Sequence, residues 1–150
     1  MVEAVVAAGL GILAFTGLLT AYHLYTHAAF LNNRLTQAQL IAEEGLEISR
    51  LLRDQGWTGT ISTYSSSSPY YAYWSGSTWL ATSTVQPLIA SRYHREILFA
   101  PAYRNSSDDL VAAGTFDPNT RKVTVTVSWR EKSATSSTRL SSYIANIFND

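Results

Sequence analysis

Few residues in this chain are spaced for chemistry. His23 and His27 sit four apart and share one side of a helix, a spacing that metal ligands use. No carboxylate follows at matching spacing, so a second reading makes them polar anchors beside Tyr22 and Tyr25 at the edge of an apolar layer. Glu43, Glu44 and Glu47 offer carboxylates, but a di-iron helix wants Glu-x-x-His and no histidine follows. They read instead as a solvated face, Glu47 near Arg50 and Arg50 near Asp54. The abundant serines lack a Gly-x-Ser-x-Gly elbow, and the only histidine outside the long helical stretch is His94. The absence of cysteine excludes disulfides, zinc ribbons, thiol nucleophiles and covalent c-type haem. No phosphate loop is present. The sequence therefore leads us to expect no enzyme, no metal and no cofactor.

Binding signals are weak. The formal net charge is +0, so no global field recruits nucleic acid or anionic lipid. Tyr64, Tyr70, Tyr71, Tyr73, Trp74 and Trp79 form an aromatic group that reads either as half-buried strand packing or as a sugar-binding or adhesive surface. With Arg92, Arg95 and Arg104 the same group could stack on single-stranded DNA. Asn105, Ser106 and Ser107 match an Asn-x-Ser glycosylation acceptor, and Ser65 to Ser68 could carry O-linked sugar.

The strongest signal lies in the element that carries the first acid. From Ala4 to Leu31 the only strongly polar side chains are His23 and His27, and about 20 apolar residues cross a bilayer core. A signal peptide needs a basic start and a core of about 7 to 15 residues. This run has no basic residue before it and is roughly twice as long as that. It reads as an uncleaved anchor. Arg34, Arg50 and Arg53 after it would place the C-terminal part in the cytoplasm, an orientation that removal of a basic leader would reverse.

The helical pattern then continues, amphipathic, through Leu31, Leu35, Ala38, Ile41, Ala42, Leu46, Ile48 and Leu52, and Gly56 suits a left-handed cap. After Trp57 the residues are those of strands and turns. TISTYSSSSPYYAYWSGSTWLATS reads as a loop with short strands. RYHREILFAPAYR alternates Tyr93, Arg95, Ile97 and Phe99 against His94, Glu96 and Leu98, with Pro101 marking an edge or bulge. In FDPNTRKVTVTVSW, Asp117, Pro118 and Asn119 suit a tight turn, after which Val123, Val125, Val127 and Trp129 face a core. STRLSSYIANIF is a final strand. The expected fold class is α+β: a long N-terminal helix, apolar half projecting and amphipathic half packed, against an antiparallel sheet. The divisions are 1–31 (membrane-length apolar helix), 32–56 (its amphipathic continuation) and 57–150 (β domain).

MVEAVVAAGLGILAF, followed by AEEGLEISRLLRDQGW, FDPNTRKVTVTVSW and SSYIANIF, resembles the type IV pilins and pseudopilins, with the N-terminal pattern entered two residues late. The family's basic, glycine-ending leader does not precede this stretch, which leads us to expect either processing or an incomplete start, and the late entry points to about two further residues before Met1. Glu3 stands where that family keeps its glutamate. The resemblance implies that Glu3 pairs with the α-amino group, here Met1, of a neighbouring subunit; a bland reading leaves it complementing the helix dipole. It further implies that Val5, Val6, Leu10, Leu13, Phe15 and Leu18 pack a filament core. The family's helix-breaking proline is missing, and Gly9, Gly11 and Gly17 are the alternative weak points, each costing about 1 kcal/mol of helix propensity.

The implied function is a structural subunit that waits in the inner membrane and is then built by pilus assembly machinery into a homo-oligomeric surface filament. Such a filament serves motility, adhesion to a host surface, or DNA uptake. Two alternatives stand beside it: a minor or tip pilin or secretion pseudopilin that binds DNA or cargo, and a membrane-anchored sensor or enzyme.

Overall fold

The computed structural model describes residues 1–131 and 134–148. Helix α1 (Val2–Asp54) is followed by a 3-10 turn (Ile61–Thr63) and six strands: β1 (Tyr71–Trp74), β2 (Trp79–Thr82), β3 (Tyr93–Arg104), β4 (Leu110–Val111), β5 (Thr115–Glu131) and β6 (Ala134–Ala145). Contacts divide the chain into two compact units, Met1–Gln37 and Ala38–Asp150. The layout is α+β, as the residue patterns lead one to expect.

The first unit is helix throughout after Met1, rich in Ala and Leu and free of proline. Helix α1 is unbroken through Gly9, Gly11 and Gly17, where an added Cβ would meet nothing within 4 Å.

In the second unit α1 turns Ala38, Ala42, Gly45, Ile48, Ser49 and Leu52 inward, a three-and-four spacing that makes one stripe. Leu35, by contrast, is exposed. The stripe packs into a core shared with Trp57, Ile61, Tyr93, Ile97, Phe99, Val123, Val125, Val127 and Trp129. Gly45 allows close approach: a Cβ there would lie 2.8 Å from Val125 Cγ1 and 3.0 Å from Arg95 Cδ. The helix ends as anticipated on Gly56, at φ +133°, whose N–H donates to the Arg53 carbonyl at 3.1 Å.

The main sheet is antiparallel in the order β4-β3-β5-β6, and β1 and β2 form a separate hairpin. Paired backbone bonds between Tyr70 and Ile97, at 2.7 and 2.8 Å, tie the segment before β1 to β3. The alternation read from the sequence is realised: Tyr93, Arg95, Ile97 and Phe99 are buried, as are Val123, Val125, Val127 and Trp129.

Asp117, Pro118 and Asn119 do not make a turn between strands. They lie inside β5, where pairing runs Pro101↔Arg121 and then Ala102↔Asp117, so residues 118–120 are skipped in the pairing with β3 while buried Thr120 still pairs with Ala145 of β6. The turn chemistry is genuine but serves the bulge. Asp117 Oδ1 accepts from the Asn119 N–H at 2.9 Å, while Oδ2 accepts from Thr120 Oγ1 and Arg104 Nε, each at 2.7 Å. These bonds, that from Arg104 foremost, hold the Asp117 carboxyl below its ordinary pKa.

Candidate functional site

Three surfaces flagged by the sequence could carry function, and two of them are largely taken up by packing and internal ion pairs. In the aromatic group, Tyr64 packs at a tilt against Tyr70 and Phe99 with ring centres 4.5 and 4.8 Å away. Tyr71 is buried and donates from its hydroxyl to Glu96 at 3.2 Å. Trp79 is half-buried over Arg95, Tyr73 is half-buried, and Trp74 is exposed with its edge on Trp79.

The arginines are committed as well. Arg95 lies on the buried face and binds Glu44 at 2.8 Å, so Glu44 is more than a solvated helix carboxylate. Burial lowers the Arg95 pKa and the Glu44 carboxylate opposes that shift. Arg104 is held by Asp117 and by the Asp108 carbonyl, both at 2.7 Å. Arg92 stays exposed. The basic track imagined for DNA is thereby lost at two of its three positions. On the helix, Arg50 pairs with Glu47 as expected, whereas Asp54 pairs with its neighbour Arg53 at 2.8 Å rather than with Arg50.

Asn105 is exposed, but its amide is occupied. Its Oδ1 accepts from the N–H groups of Ser107 and Asp109, each at 2.9 Å, and its Nδ2 donates to Asp109 at 3.2 Å. Among the described residues no group of three His, Asp or Glu side chains is placed to hold a metal, and His23 and His27 stand exposed on the helix.

The third surface is the first unit itself. Val5, Val6, Leu10, Leu13, Phe15 and Leu18 are each more than half exposed, and Met1 and Glu3 are exposed beside them. By length and composition this helix is able to cross a membrane. Burying a large apolar side chain stabilises by about 1.5–3 kcal/mol, so these six leave on the order of 10 kcal/mol unrealised in water.

A feature missed in the sequence makes the segment fit an apolar surrounding. Thr16 donates to the Leu13 carbonyl at 3.0 Å, Thr20 to Thr16 at 2.9 Å, and Thr26 to Tyr22 and His23 at 3.1 and 3.0 Å. Each hydroxyl is satisfied by its own helix and asks nothing of water. The signal was available, since threonine in an unbroken apolar helix has the preceding turn's carbonyls within reach. Glu3, a carboxylate in the first turn, is the one formally charged side chain in this apolar stretch before Arg34. Comparison with protein-family models, curated proteins and solved structures yields no match to this chain.

Proposed function

We propose that this chain is a pilin-like structural subunit, stored as a single-span protein in the inner membrane and assembled through its N-terminal helix into a type IV pilus filament at the cell surface. The observation that carries the reading is the all-round exposure of an apolar helix whose threonines are internally satisfied. That surface has two possible coverings, lipid and other helices. Lipid supplies no hydrophobic drive for helices to associate, so specificity within the bilayer must come from packing and polar pairing.

Glu3 supplies the polar term. An unpaired carboxylate is costly among apolar helices, and an α-amino group of a neighbouring copy relieves it at one axial register. The β domain then forms the filament surface, where motility, adhesion or DNA uptake would act. The work of the protein is assembly, with no chemical step.

The chain has no native cysteine, which makes a clean test available. In a Leu13→Cys variant, oxidation of harvested surface filaments should give disulfide-linked dimers, because like helices pack side by side. Ser107→Cys, on an exposed loop, should give none. Equal crosslinking at both positions, or none at Leu13→Cys in filaments that contain the chain, would contradict the reading. Confinement of the chain to filament tips would favour a minor pilin over a shaft subunit.

A further inference from the structure

The face of the sheet turned away from α1 holds a groove of about 370 Å³, within the range of small-molecule sites. Its floor follows the strand register. Leu98 and Thr124 line it from one row, which continues to Ser141 of β6 beside the groove, and Glu96, Thr126 and Arg139 of β3, β5 and β6 make the next. One wall is built by Ser67 and Pro69 from the loop before β1. That loop is fixed in place: the Ser65 N–H donates to the Tyr70 hydroxyl at 2.9 Å, and the Ser65 and Ser67 hydroxyls bond at 2.8 Å.

A solvent-facing sheet is polar by default, but this one is concave and its groups are ordered. Glu96 and Arg139 stand two strands apart, about 10 Å between backbones, with the Thr126 hydroxyl between them. Their charges cancel, so the groove selects neither a polyanion nor a polycation. Both groups are planar and multidentate, one accepting and one donating, which suits pairs of neighbouring hydroxyls. Glu96 Oε1 accepts from the Tyr71 hydroxyl at 3.2 Å and has His94 Nδ1 at 3.6 Å, so Oε2 is the oxygen assigned to a ligand. The Thr124 and Ser141 hydroxyls share a 3.0 Å bond, and whichever accepts keeps its own O–H to donate. Leu98 and Pro69 add a small apolar patch for a ring's C–H face.

We propose that this groove binds a neutral oligosaccharide, one pyranose seated between Glu96 and Arg139 over Thr126. The reading does not depend on assembly, since every residue of the groove lies in the unit Ala38–Asp150.

The test uses the full chain in a detergent without a sugar headgroup, isotope-labelled for NMR. The probes are maltotriose, lactose and chitotriose, with a thymidine oligonucleotide for comparison. At least one saccharide should shift the signals of Leu98, Thr124, Thr126 and Arg139. Thr126→Val and Arg139→Gln, each preserving the fold by its unchanged spectrum elsewhere, should weaken that binding at least about fivefold. Failure of all three saccharides at millimolar concentration overturns the proposal. So does binding of the oligonucleotide alone, or unchanged affinity in the folded Arg139→Gln variant.

Discussion

Replacing Glu44 by alanine probes the ion pair that ties α1 to the buried Arg95 of β3. The Arg95 side chain is 4% exposed, its Nε has no hydrogen-bond partner, and the Trp79 ring lies 5.7 Å from the guanidinium. Without Glu44 the remaining acceptor is the Ile41 carbonyl at 3.4 Å, a marginal bond. Breaking a fully buried ion pair costs about 3–5 kcal/mol. The Glu44 side chain is 48% exposed, so water reaches the pair from one side. Roughly half that cost, about 1.5–2.5 kcal/mol, is therefore expected. At about 4 °C per kcal/mol for a unit of this size, Tm should fall by about 6–10 °C.

Arg95→Met keeps volume and removes the buried charge, and the freed Glu44 turns to water. Its cost should stay below about 1.5 kcal/mol, and Glu44→Ala/Arg95→Met should be more stable than Glu44→Ala alone. The buried Trp57 and Trp129 report unfolding by fluorescence in heat and denaturant. A Glu44→Ala stability within about 0.5 kcal/mol of the parent, or a double variant no better than Glu44→Ala, would refute the buried-pair argument.

Three further outcomes are expected. Gly45→Ala sets overpacking against Val125, about 1–3 kcal/mol, against a helix-propensity gain of about 1, and should lose about 1 kcal/mol net; a raised Tm would show that the helix yields freely. Asp117 has a folded pKa below its unfolded value of about 3.9, so its contribution is present above that pH and is lost as pH falls through the folded value. Asp117→Asn should therefore lower Tm near neutral pH and flatten the acid limb of Tm against pH; a parallel acid limb would show the carboxylate to be uncoupled from folding. Glu3→Ala should leave the protein inserted in the membrane while greatly reducing filaments counted by electron microscopy, and normal piliation would remove Glu3 from assembly.

The sheet faces were legible because strand side chains alternate: Val123, Val125 and Val127 could not share a face with Thr124 and Thr126. Gly56 was legible as a cap for a similarly local reason. What escaped was long-range. Glu44 and Arg95 are 51 residues apart, and nothing local distinguishes an arginine aimed at a helix from one aimed at solvent. The Asp-Pro-Asn signal suggested a tight turn, whereas the chain keeps its direction and only bulges, because whether such a stretch closes a hairpin or bulges a strand depends on the register across β3. For the exposed helix, composition gave the apolar surface, while the internal bonding of Thr16, Thr20 and Thr26 needed the geometry of the helix itself.

In the proposed filament, copies of this chain cover one another's apolar helices. Helical reconstruction of surface filaments containing the full chain, at a resolution that traces side chains, tests it most directly. The expected result is a filament core of residues 1–37, with Leu10, Leu13, Phe15 and Leu18 buried between copies, Glu3 within hydrogen-bond distance of a neighbour's α-amino group, and β domains outside. A filament whose core belongs to another protein, or whose Glu3 faces solvent, would contradict it.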